Sequence, residues 1–235
     1  MKINVFLPCK KNSTRVKNKN KRRFANINYG LLNIKINQLI NCKSINKIYL
    51  STNDSSIIDY VNKLNNKKII IHIRKDKTLS TNKTSTQQLI NHASEIIKDG
   101  HILFTHVTSP FLTTKLYEKI IKKYKDILKK NFDSLMTVNE LKGFIWNKTK
   151  PINYNREKIK WPKTQDISGL FKVNSGVFLT SREIYILKKD RIGKKPFFYN
   201  LSRFEGLDID ELEDFYFAEY VYEKTINKNK IKKNN

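Results

Sequence analysis

The stretch Val5 to Asn20, VFLPCKKNSTRVKNKN, begins as an apolar run and becomes basic and polar after Pro8. The run Ile3 to Leu7 has the length of a buried strand, and Pro8 is expected to end it because proline removes a hydrogen-bond donor. In α/β proteins, ligands bind where loops leave the carboxyl ends of strands. Backbone N–H groups, hydroxyls and cations in such a loop bind phosphate. The stretch therefore predicts a triphosphate-binding loop, with a solvated basic face or a nucleic-acid patch as alternatives.

The composition predicts one basic domain. The chain has 235 residues, which is enough for one core without disulfides or metal staples. Lysine and arginine (47) outnumber aspartate and glutamate (21), so the net charge is +26 and favours polyanionic partners. The lysines are spread over every predicted element, however, which indicates a compositional bias rather than one binding patch. Aromatic residues do not interleave with the basic run Lys10 to Arg23, so nucleic acid is not the expected partner.

The cysteines and the apolar runs predict a cytoplasmic protein. Cys9 and Cys42 form no CxxC pair or Cys/His cluster, so neither a disulfide framework nor a zinc site is expected. The N-terminus lacks the apolar core of a signal peptide. No apolar run approaches the ~20 residues of a membrane span, so we expect no membrane partner.

Strands and helices alternate along the chain. The strands are nearly all apolar, which predicts an α/β fold with a mostly parallel sheet covered on both faces. We expect strands at 3–7, 47–50, 69–73, 101–104, 134–138 and 173–179, and helices at 29–44, 57–64, 87–97, 116–128, 181–188 and from about 214 to 222. The polar loops follow the strands, so several of them should meet at one edge of the sheet.

The pattern changes between about 141 and 172. Trp146, Tyr154 and Trp161 lie there among charges with weak periodicity. We interpret this segment as an interface or lid excursion from a single domain that covers 1–226. Exposed aromatic residues are typical of protein contacts, so we expect a homodimer. Residues 227–235 are low-complexity Lys/Asn and should form a flexible tail.

Asp208 and Asp210 lie two positions apart late in the chain. If the segment is extended, both carboxylates face the same way. Two such carboxylates with no cation beside them repel each other, and Mg²⁺ would relieve this together with substrate phosphate oxygens. The alternative is that Asp210 caps the following helix with Glu213 as its partner and that Asp208 is solvated.

The early loop matches a family pattern of the form P-A-R-x-G-S-K/x-R/G-x-P-x-K-N. The matching residues are Pro8, Ser13, Arg15, Lys19 and Asn20; Lys10 stands at the family's arginine, and Asn12 and Lys17 stand at its glycine and proline. In this loop and in the segments that follow, the chain resembles the CMP-sugar-acid synthetases, that is, the acylneuraminate cytidylyltransferases and their relatives.

Further segments follow in the family's order. They are Ser51-Thr52-Asn53-Asp54, Arg74, Ser85-Thr86, His92-Ala93, Thr108-Ser109-Pro110, Gln165-Asp166, Asn174-Ser175-Gly176 and Asp208-Ile209-Asp210 with Asp214. The chain departs from the family at His106, where the family has glutamine, and at Leu112, where it has arginine. The matches cover nearly the whole chain, and their ordered occurrence is more specific than any one of them.

The resemblance implies a three-layer, Rossmann-like nucleotidyltransferase fold and an enzyme. The implied reaction transfers CMP from CTP to the anomeric hydroxyl of a 2-keto sugar acid of the sialic, legionaminic or pseudaminic type, and releases pyrophosphate. This chemistry needs alignment and charge neutralisation more than covalent participation.

The resemblance also implies roles for single residues. Nucleotide binding falls to Pro8, Cys9, Lys10, Ser13, Arg15, Lys19, Asn20, Arg74 and Ser85, and catalysis to Lys10, Arg15, Lys19 and Asp208. The magnesium cofactor would be held by Asp208 and Asp210, and the sugar by His106, Gln165 and Asn174. Another nucleotide or sugar, an inactive homologue with departures at Asn12, His106 and Leu112, and a basic nucleic-acid-binding protein stay open as alternatives.

Overall fold

The computed structural model describes residues 1–11, 13–74, 79, 81 and 83–231 of the chain. The strands are Ile3–Cys9 (β1), Lys47–Thr52 (β2), Ile69–Ile73 (β3), His101–Thr105 (β4), Ser134–Leu141 (β5), Leu170–Ser181 (β6) and Pro196–Asn200 (β7). The helices are Gly30–Ile40 (α1), Ser55–Lys63 (α2), Thr86–Ile96 (α3), Thr114–Leu128 (α4), Arg182–Lys188 (α5) and Leu212–Ile231 (α6).

The strands form one sheet in the order β3-β2-β1-β4-β6-β5-β7. The pairs β1–β2, β1–β4, β2–β3 and β5–β7 are parallel, whereas β6 pairs antiparallel with both β4 and β5. The predicted α/β class with a mostly parallel sheet is therefore confirmed. No helix in the described part of the chain is both long and apolar enough to cross a membrane.

Alternation along β1 divides the core into two layers. Val5 and Leu7 pack on the face that carries α1, α2, α4 and α6. Phe6 packs on the opposite face, where Ile90 of α3 and Tyr185 of α5 complete a second cluster. Because side chains alternate across a strand, one apolar run serves both layers. The predicted three-layer, Rossmann-like arrangement is present.

Two local predictions are wrong. Pro8 does not end β1 but lies within it, opposite Ser51 of β2. The pairing of β1 with β4 stops at Phe6, so the last residues of β1 have a neighbour on one side only, where proline is tolerated. Strand β7 was not predicted; it is a short edge strand with Pro196 as its first residue, a position that proline also permits.

The segment 142–169 joins β5 to β6 with little regular structure, apart from a 3₁₀ turn at Thr164–Asp166. Phe144 packs edge-on against Tyr154 and Trp161, with ring centroids 5.3 and 5.2 Å apart. Trp161 is 64% exposed. The segment is therefore a self-packed aromatic cluster on the surface. At the other end of the chain, α6 runs to Ile231 into the predicted tail, of which 232–235 lie outside the described residues.

Candidate active site

The carboxyl ends of β1, β3 and β4 meet at one edge of the sheet, as the strand–loop pattern predicts. They enclose a cleft of about 230 Å³. Four cations, Lys10, Arg15, Lys19 and Arg74, line it together with Pro8, Ser13, Thr14, Asn20, Thr81, Thr84, Leu89, His106, Val107 and Thr108. The structure therefore brings together most of the residues predicted to bind the nucleotide.

The loop after β1 is fixed at both ends. The Asn20 side-chain amide donates to the Lys10 carbonyl at 3.1 Å, and the Lys11 N–H donates to Asn53 Oδ1 at 2.8 Å. Val16 is 1% exposed and anchors the middle of the loop in the core. Asn20 is thus a brace of the loop as well as part of the cleft wall. Asn12, where the family has glycine, lies outside the described residues.

The basic loop meets the acidic segment that lies some 190 residues later. Lys19 Nζ donates to the Ile209 carbonyl at 2.6 Å. Arg15 forms ion pairs with Asp210 at 2.7 Å and with Glu211 at 3.0 Å. Ile209 is 0% exposed, so its side chain anchors this segment in the core. The predicted convergence of the early cations with the late acidic pair is present in the structure.

Asp208 is the more buried of the two aspartates. Its Oδ1 is buried and has no hydrogen-bond partner in the described part of the chain. Burial raises the pKa of Asp208, and the negative charge of Asp210 acts in the same direction. A hydrogen bond with the Thr108 side chain and the charge of Lys19 oppose this rise in pKa. A buried carboxylate oxygen without a partner is able to bind a cation or to accept a hydrogen bond.

Asp210 has different surroundings from those predicted. The expectation that no cation lies beside the acidic pair is wrong, because Arg15 pairs with Asp210. The alternative cap is also wrong: the Asp214 carboxylate accepts from the N–H groups of Asp210 and Glu211, at 3.0 and 2.8 Å. Helix α6 begins at Leu212, so Asp214 in its first turn reaches back to these groups.

The carboxylate of Asp208 fits a magnesium ion, whereas that of Asp210 is occupied by its ion pair with Arg15. Hard cations take carboxylate oxygens and keep positions for phosphate oxygens. Asp208 Oδ1 is an available oxygen of this kind. Asp210 can join only if its exposed pair with Arg15 opens, and exposed pairs of this type are weak. The described residues contain no group of three or more His, Cys, Asp or Glu placed to hold a metal.

The cations of the cleft are crowded. Burial lowers the pKa of Lys10, and the nearby charges of Arg74 and Arg15 lower it further. Burial also lowers the pKa of Lys19, although Asp210 and Asp208 oppose this effect. A polyanion in the cleft would relieve both the burial cost and the repulsion. The electrostatics therefore favour a multiply charged ligand such as a triphosphate.

A second cavity, of about 840 Å³, lies on the other side of Asp208. It is lined by the ends of β5, β6 and β7 and by the segment before α6, and it contains Asn174. Its cationic and amide side chains are Lys142, Lys172, Arg203, Asn139, Asn174 and Asn200. Asp208 lines this cavity and contacts Thr108 of the first cleft, so it stands between the two.

The family follows from a comparison with known proteins. A family model described as cytidylyltransferase matches residues 5–230. The chain belongs to the cytidylyltransferase family.

This cytidylyltransferase is also similar to individual proteins. It is 25% identical over 230 residues to a pseudaminic acid cytidylyltransferase from Campylobacter jejuni, covering 94% of this chain and 97% of the relative. Its fold matches a CMP:2-keto-3-deoxy-manno-octonic acid synthetase complexed with CTP, with a TM-score of 0.66, 11% identity, and coverage of 96% of this chain and 100% of the other. It also matches a 4-diphosphocytidyl-2C-methyl-D-erythritol synthase from Anaerococcus prevotii, with a TM-score of 0.68, 11% identity, and coverage of 94% and 96%.

Two residues predicted to bind the nucleotide lie elsewhere in this cytidylyltransferase. The Cys9 side chain is 0% exposed in the core, where burial raises the pKa of its thiol to about 12. The Ser85 hydroxyl caps α3 by accepting from the Gln88 N–H at 3.2 Å, and Thr81 and Thr84 line the cleft in its neighbourhood. Arg74 does line the cleft, but its guanidinium is bound to Ser51 and to the Leu79 carbonyl.

The three residues predicted to bind the sugar do not come together. His106 lines the first cleft, Asn174 lines the second cavity, and Gln165 is exposed in the 3₁₀ turn and lines neither. Burial and the charges of Arg191, Lys19 and Lys35 lower the pKa of His106 to about 3, so its imidazole is neutral. The other departure from the family, Leu112, is 0% exposed in the core.

Some site features were not predicted from the sequence. Lys142, Lys172 and Arg203 of the second cavity carry no local signal, because they come from the β5–β6 connection, β6 and the β7–α6 connection. The structure also brings two aromatic residues of α6 next to the basic run, although Phe215 is buried at 1% exposure. Arg22 of that run lies over the Phe215 ring at 5.1 Å and donates to the Tyr216 hydroxyl at 3.3 Å.

Proposed function

We propose that this chain transfers CMP from CTP to the anomeric hydroxyl of a 2-keto sugar acid and releases pyrophosphate. The observation that carries the proposal is the contact of Lys19 with the Ile209 carbonyl, between Asp208 and Asp210. This contact joins a cationic cleft to a buried carboxylate, as nucleotidyl transfer requires. The pseudaminic acid cytidylyltransferase that is 25% identical supports an acceptor of the sialic, legionaminic or pseudaminic type.

The cations of the cleft would bind the triphosphate. Lys10, Arg15 and Lys19 neutralise its charge, while Ser13 and Asn20 add polar contacts, since all five line the cleft. The acceptor hydroxyl oxygen bonds to the α-phosphorus and loses its proton to solvent. The bond from the α-phosphorus to the bridging oxygen breaks, and pyrophosphate leaves with that oxygen. A magnesium ion held by Asp208, and by Asp210 once Arg15 is released to the phosphates, would supply further charge neutralisation on the phosphate oxygens.

The acceptor acid would lie in the second cavity. Lys172 and Arg203 offer charge to a carboxylate, and the Asn174 region offers amides to hydroxyls. Lys142 also lines the cavity but is paired with Glu140 at 3.8 Å, and Asp210 and Asp214 add negative charge to the wall. Asp208 stands between this cavity and the cleft, so an acceptor in the second cavity would lie next to the α-phosphate of a nucleotide in the cleft. His106 would contribute a neutral imidazole from the cleft side, with one donor and one acceptor nitrogen.

A pyrophosphate-release screen tests the reaction. CTP, UTP, GTP and ATP are each combined with Mg²⁺ and a panel of 2-keto sugar acids. We expect release with CTP and with one or more nonulosonic acids. Pyrophosphate release with another nucleotide instead of CTP would show that this nucleotide is the donor substrate. No release with any combination would contradict the proposed function.

Nucleic-acid binding is the second candidate, because the structure places Arg22 of the basic run beside aromatic rings. Strong binding to DNA or RNA with a steep salt dependence, and no thermal stabilisation by CTP with Mg²⁺, would favour it over the enzyme.

We also propose that the chain is a homodimer through the segment 142–169. Trp146, Ile159 and Trp161 are exposed there at 39, 58 and 64%. Apolar surface of this kind marks interfaces. Sedimentation should give a dimer for the wild type and a monomer for Trp161→Glu, and a wild-type monomer at micromolar concentration would contradict the proposal.

A cytoplasmic location is proposed as well. Cys9 and Cys42 are both free and buried, which suits a reducing compartment. Fractionation of cells that produce the native protein would test this location.

A further inference from the structure

Lys35, in the middle of α1, is buried in the core at 0% exposure. Its Nζ donates to the Ser109 carbonyl and to the Tyr117 hydroxyl, each at 2.8 Å. Burial lowers the pKa of Lys35 well below its usual value, and the charge of Asp208 opposes this. Lysine is almost never fully buried in proteins unless it is paired. A buried lysine in this position therefore needs a reason.

The hydrogen bonds of Lys35 belong to a chain with a defined direction. Thr105 Oγ1 donates its single hydrogen to the Gly176 carbonyl at 2.7 Å. Thr105 Oγ1 must therefore accept from the Tyr117 hydroxyl, which lies 2.8 Å away. Burial raises the pKa of Tyr117, so this hydroxyl keeps its proton and accepts in turn from Lys35. Both the ammonium and the neutral amine of lysine have enough N–H groups for the two observed bonds.

This series of hydrogen bonds holds both ends of one segment of the site. Thr105 and Ser109 flank the residues that line the cleft after β4. Within that segment, the Thr108 carbonyl accepts from the Ile209 N–H at 2.9 Å. The Thr108 side chain also lies next to the Asp208 carboxylate. Lys35 therefore lies beneath the part of the chain that supports Asp208.

Stability alone does not explain this arrangement. A buried charge is weak evidence for stability, because replacing a whole buried ion pair by apolar side chains of similar volume is often neutral or stabilising. Lys68 shows what an ordinary bracing lysine does here: it is partly exposed and donates to the Ile40 and Cys42 carbonyls, at 2.9 and 2.8 Å, at the end of α1. Lys35 makes the same type of bond but is completely buried.

We propose that Lys35 is a positioning residue of the active site, which holds the segment 105–109, and through Thr108 the Asp208 carboxylate, against the nucleotide cleft. The inference rests on the proposed function for its effect on turnover. Its effect on the backbone does not depend on that function. Lys35 acts through Ser109, Tyr117 and Thr108 and touches no reactant.

The test compares Lys35→Met with Lys68→Met. Backbone hydrogen exchange is measured in peptides that cover 105–112 and 206–211, and kcat and KM are measured for CTP. For Lys35→Met we expect exchange in both peptides to rise about tenfold, because a local restraint is lost. We expect kcat to fall about tenfold or more while the KM for CTP stays within about twofold, because alignment is lost but charge neutralisation is not. Lys68→Met should leave exchange in both peptides and kcat unchanged.

The outcomes separate the two proposals. If the wild type shows no CMP transfer, the proposed function fails, and the exchange data alone decide the role of Lys35. Unchanged exchange in both peptides in Lys35→Met overturns the positioning role, as does an unchanged kcat in an active protein.

If Lys35→Met does not fold, Tyr117→Phe interrupts the same series of hydrogen bonds by removing one hydroxyl. Its matched control is Tyr124→Phe, also on α4 and fully buried, whose hydroxyl pairs with His101 Nδ1 at 2.8 Å at the far end of β4. Faster exchange in 105–112 for Tyr117→Phe but not for Tyr124→Phe supports the role. Equal exchange in the two variants overturns it.

Discussion

The two cavities of this cytidylyltransferase are built in different ways. The nucleotide cleft lies on the parallel half of the sheet, and its residues follow β1, β3 and β4 in short runs. The second cavity lies on the half that contains antiparallel β6, and its residues come from β5, β6, β7 and the segment before α6. Parallel strands bring consecutive loops to one edge, so a local motif can specify a site there. The antiparallel half assembles its site from residues that are distant in sequence.

The two cavities also differ in how exposed their cationic side chains are. Lys10 and Lys19 of the cleft are partly buried, and the charges of Arg74 and Arg15 lower the pKa of Lys10. Arg15 is exposed and is paired with Asp210 and Glu211. The cations of the second cavity, such as Lys172 and Arg203, are exposed. Screening by water makes exposed charges weaker partners than buried ones. The cleft should therefore bind its ligand more tightly than the second cavity does.

The largest expected effect is at Asp208, where the two cavities meet. Asp208→Asn should lower kcat about 100-fold or more, because the carboxylate that would hold the metal is lost. The protein should remain as stable or become more stable, since the buried carboxylate, whose pKa burial raises, is costly to ionise. Steady-state kinetics with Mg²⁺ and thermal melting measure the two effects. Asp99→Asn, at an exposed pair with Lys2, is the control, and normal turnover in Asp208→Asn refutes the metal assignment.

The next effect concerns the cleft alone. Lys19→Ala should weaken CTP binding about tenfold or more, because a partly buried cation next to the phosphates is removed. Calorimetric titration with CTP measures the change. Lys17→Ala is the matched control, since Lys17 is an exposed lysine of the same loop that does not line the cleft. Equal affinity in the two variants would move the phosphates away from this loop.

A smaller effect is expected in the second cavity. Lys172→Ala should raise the KM for the sugar acid about fivefold and leave the affinity for CTP unchanged, because an exposed charge contributes about 1 kcal/mol or less. Steady-state kinetics with each substrate varied in turn measure both values. Lys98→Ala, an exposed lysine that lines neither cavity, is the control. A change in CTP affinity without a change in the KM for the acid would exchange the roles of the two cavities.

His106 adds a pH dependence on the cleft side. Its pKa is lowered from 6.5 to about 3, so the unfolded chain binds a proton that the folded protein does not. Its contribution to stability is present above pH 6.5 and is lost as the pH falls towards 3. Between pH 7 and 4.5, the wild type should therefore lose at least about 5 °C more in Tm than His106→Gln does. Equal losses in the two proteins would show that the imidazole becomes protonated in the folded state.

The smallest effect separates a helix cap from a ligand contact. Ser85→Ala should cost about 1 kcal/mol of unfolding free energy, because it removes the cap of α3. CTP affinity should change less than about twofold, whereas Thr84→Val, at a residue of the cleft wall, should weaken it more. Chemical denaturation and CTP titration measure these changes. A large loss of CTP affinity in Ser85→Ala would return this serine to the nucleotide site.

Residue type predicted the cleft better than it predicted the orientation of single side chains. Lys10, Arg15 and Lys19 were predictable because a basic run directly follows a buried strand. The side chains of Cys9 and Ser85 do not line the cleft, because whether a residue next to a motif faces the core, caps a helix or lines a cavity depends on the register of its element. Periodicity predicted the strands of the parallel half, whereas the short edge strand β7 gave no such signal.

The sequence by itself determined the α/β class, the family and the cationic loop, because these depend on apolar runs and on residues that are adjacent in the chain. Only the tertiary structure decided that Lys19 reaches the Ile209 carbonyl, that Arg15 pairs with Asp210 and that Lys35 lies beneath the segment that supports Asp208. The physical reason is distance along the chain: these contacts join residues between 74 and 195 positions apart, which only the packing of the sheet and its helices brings together.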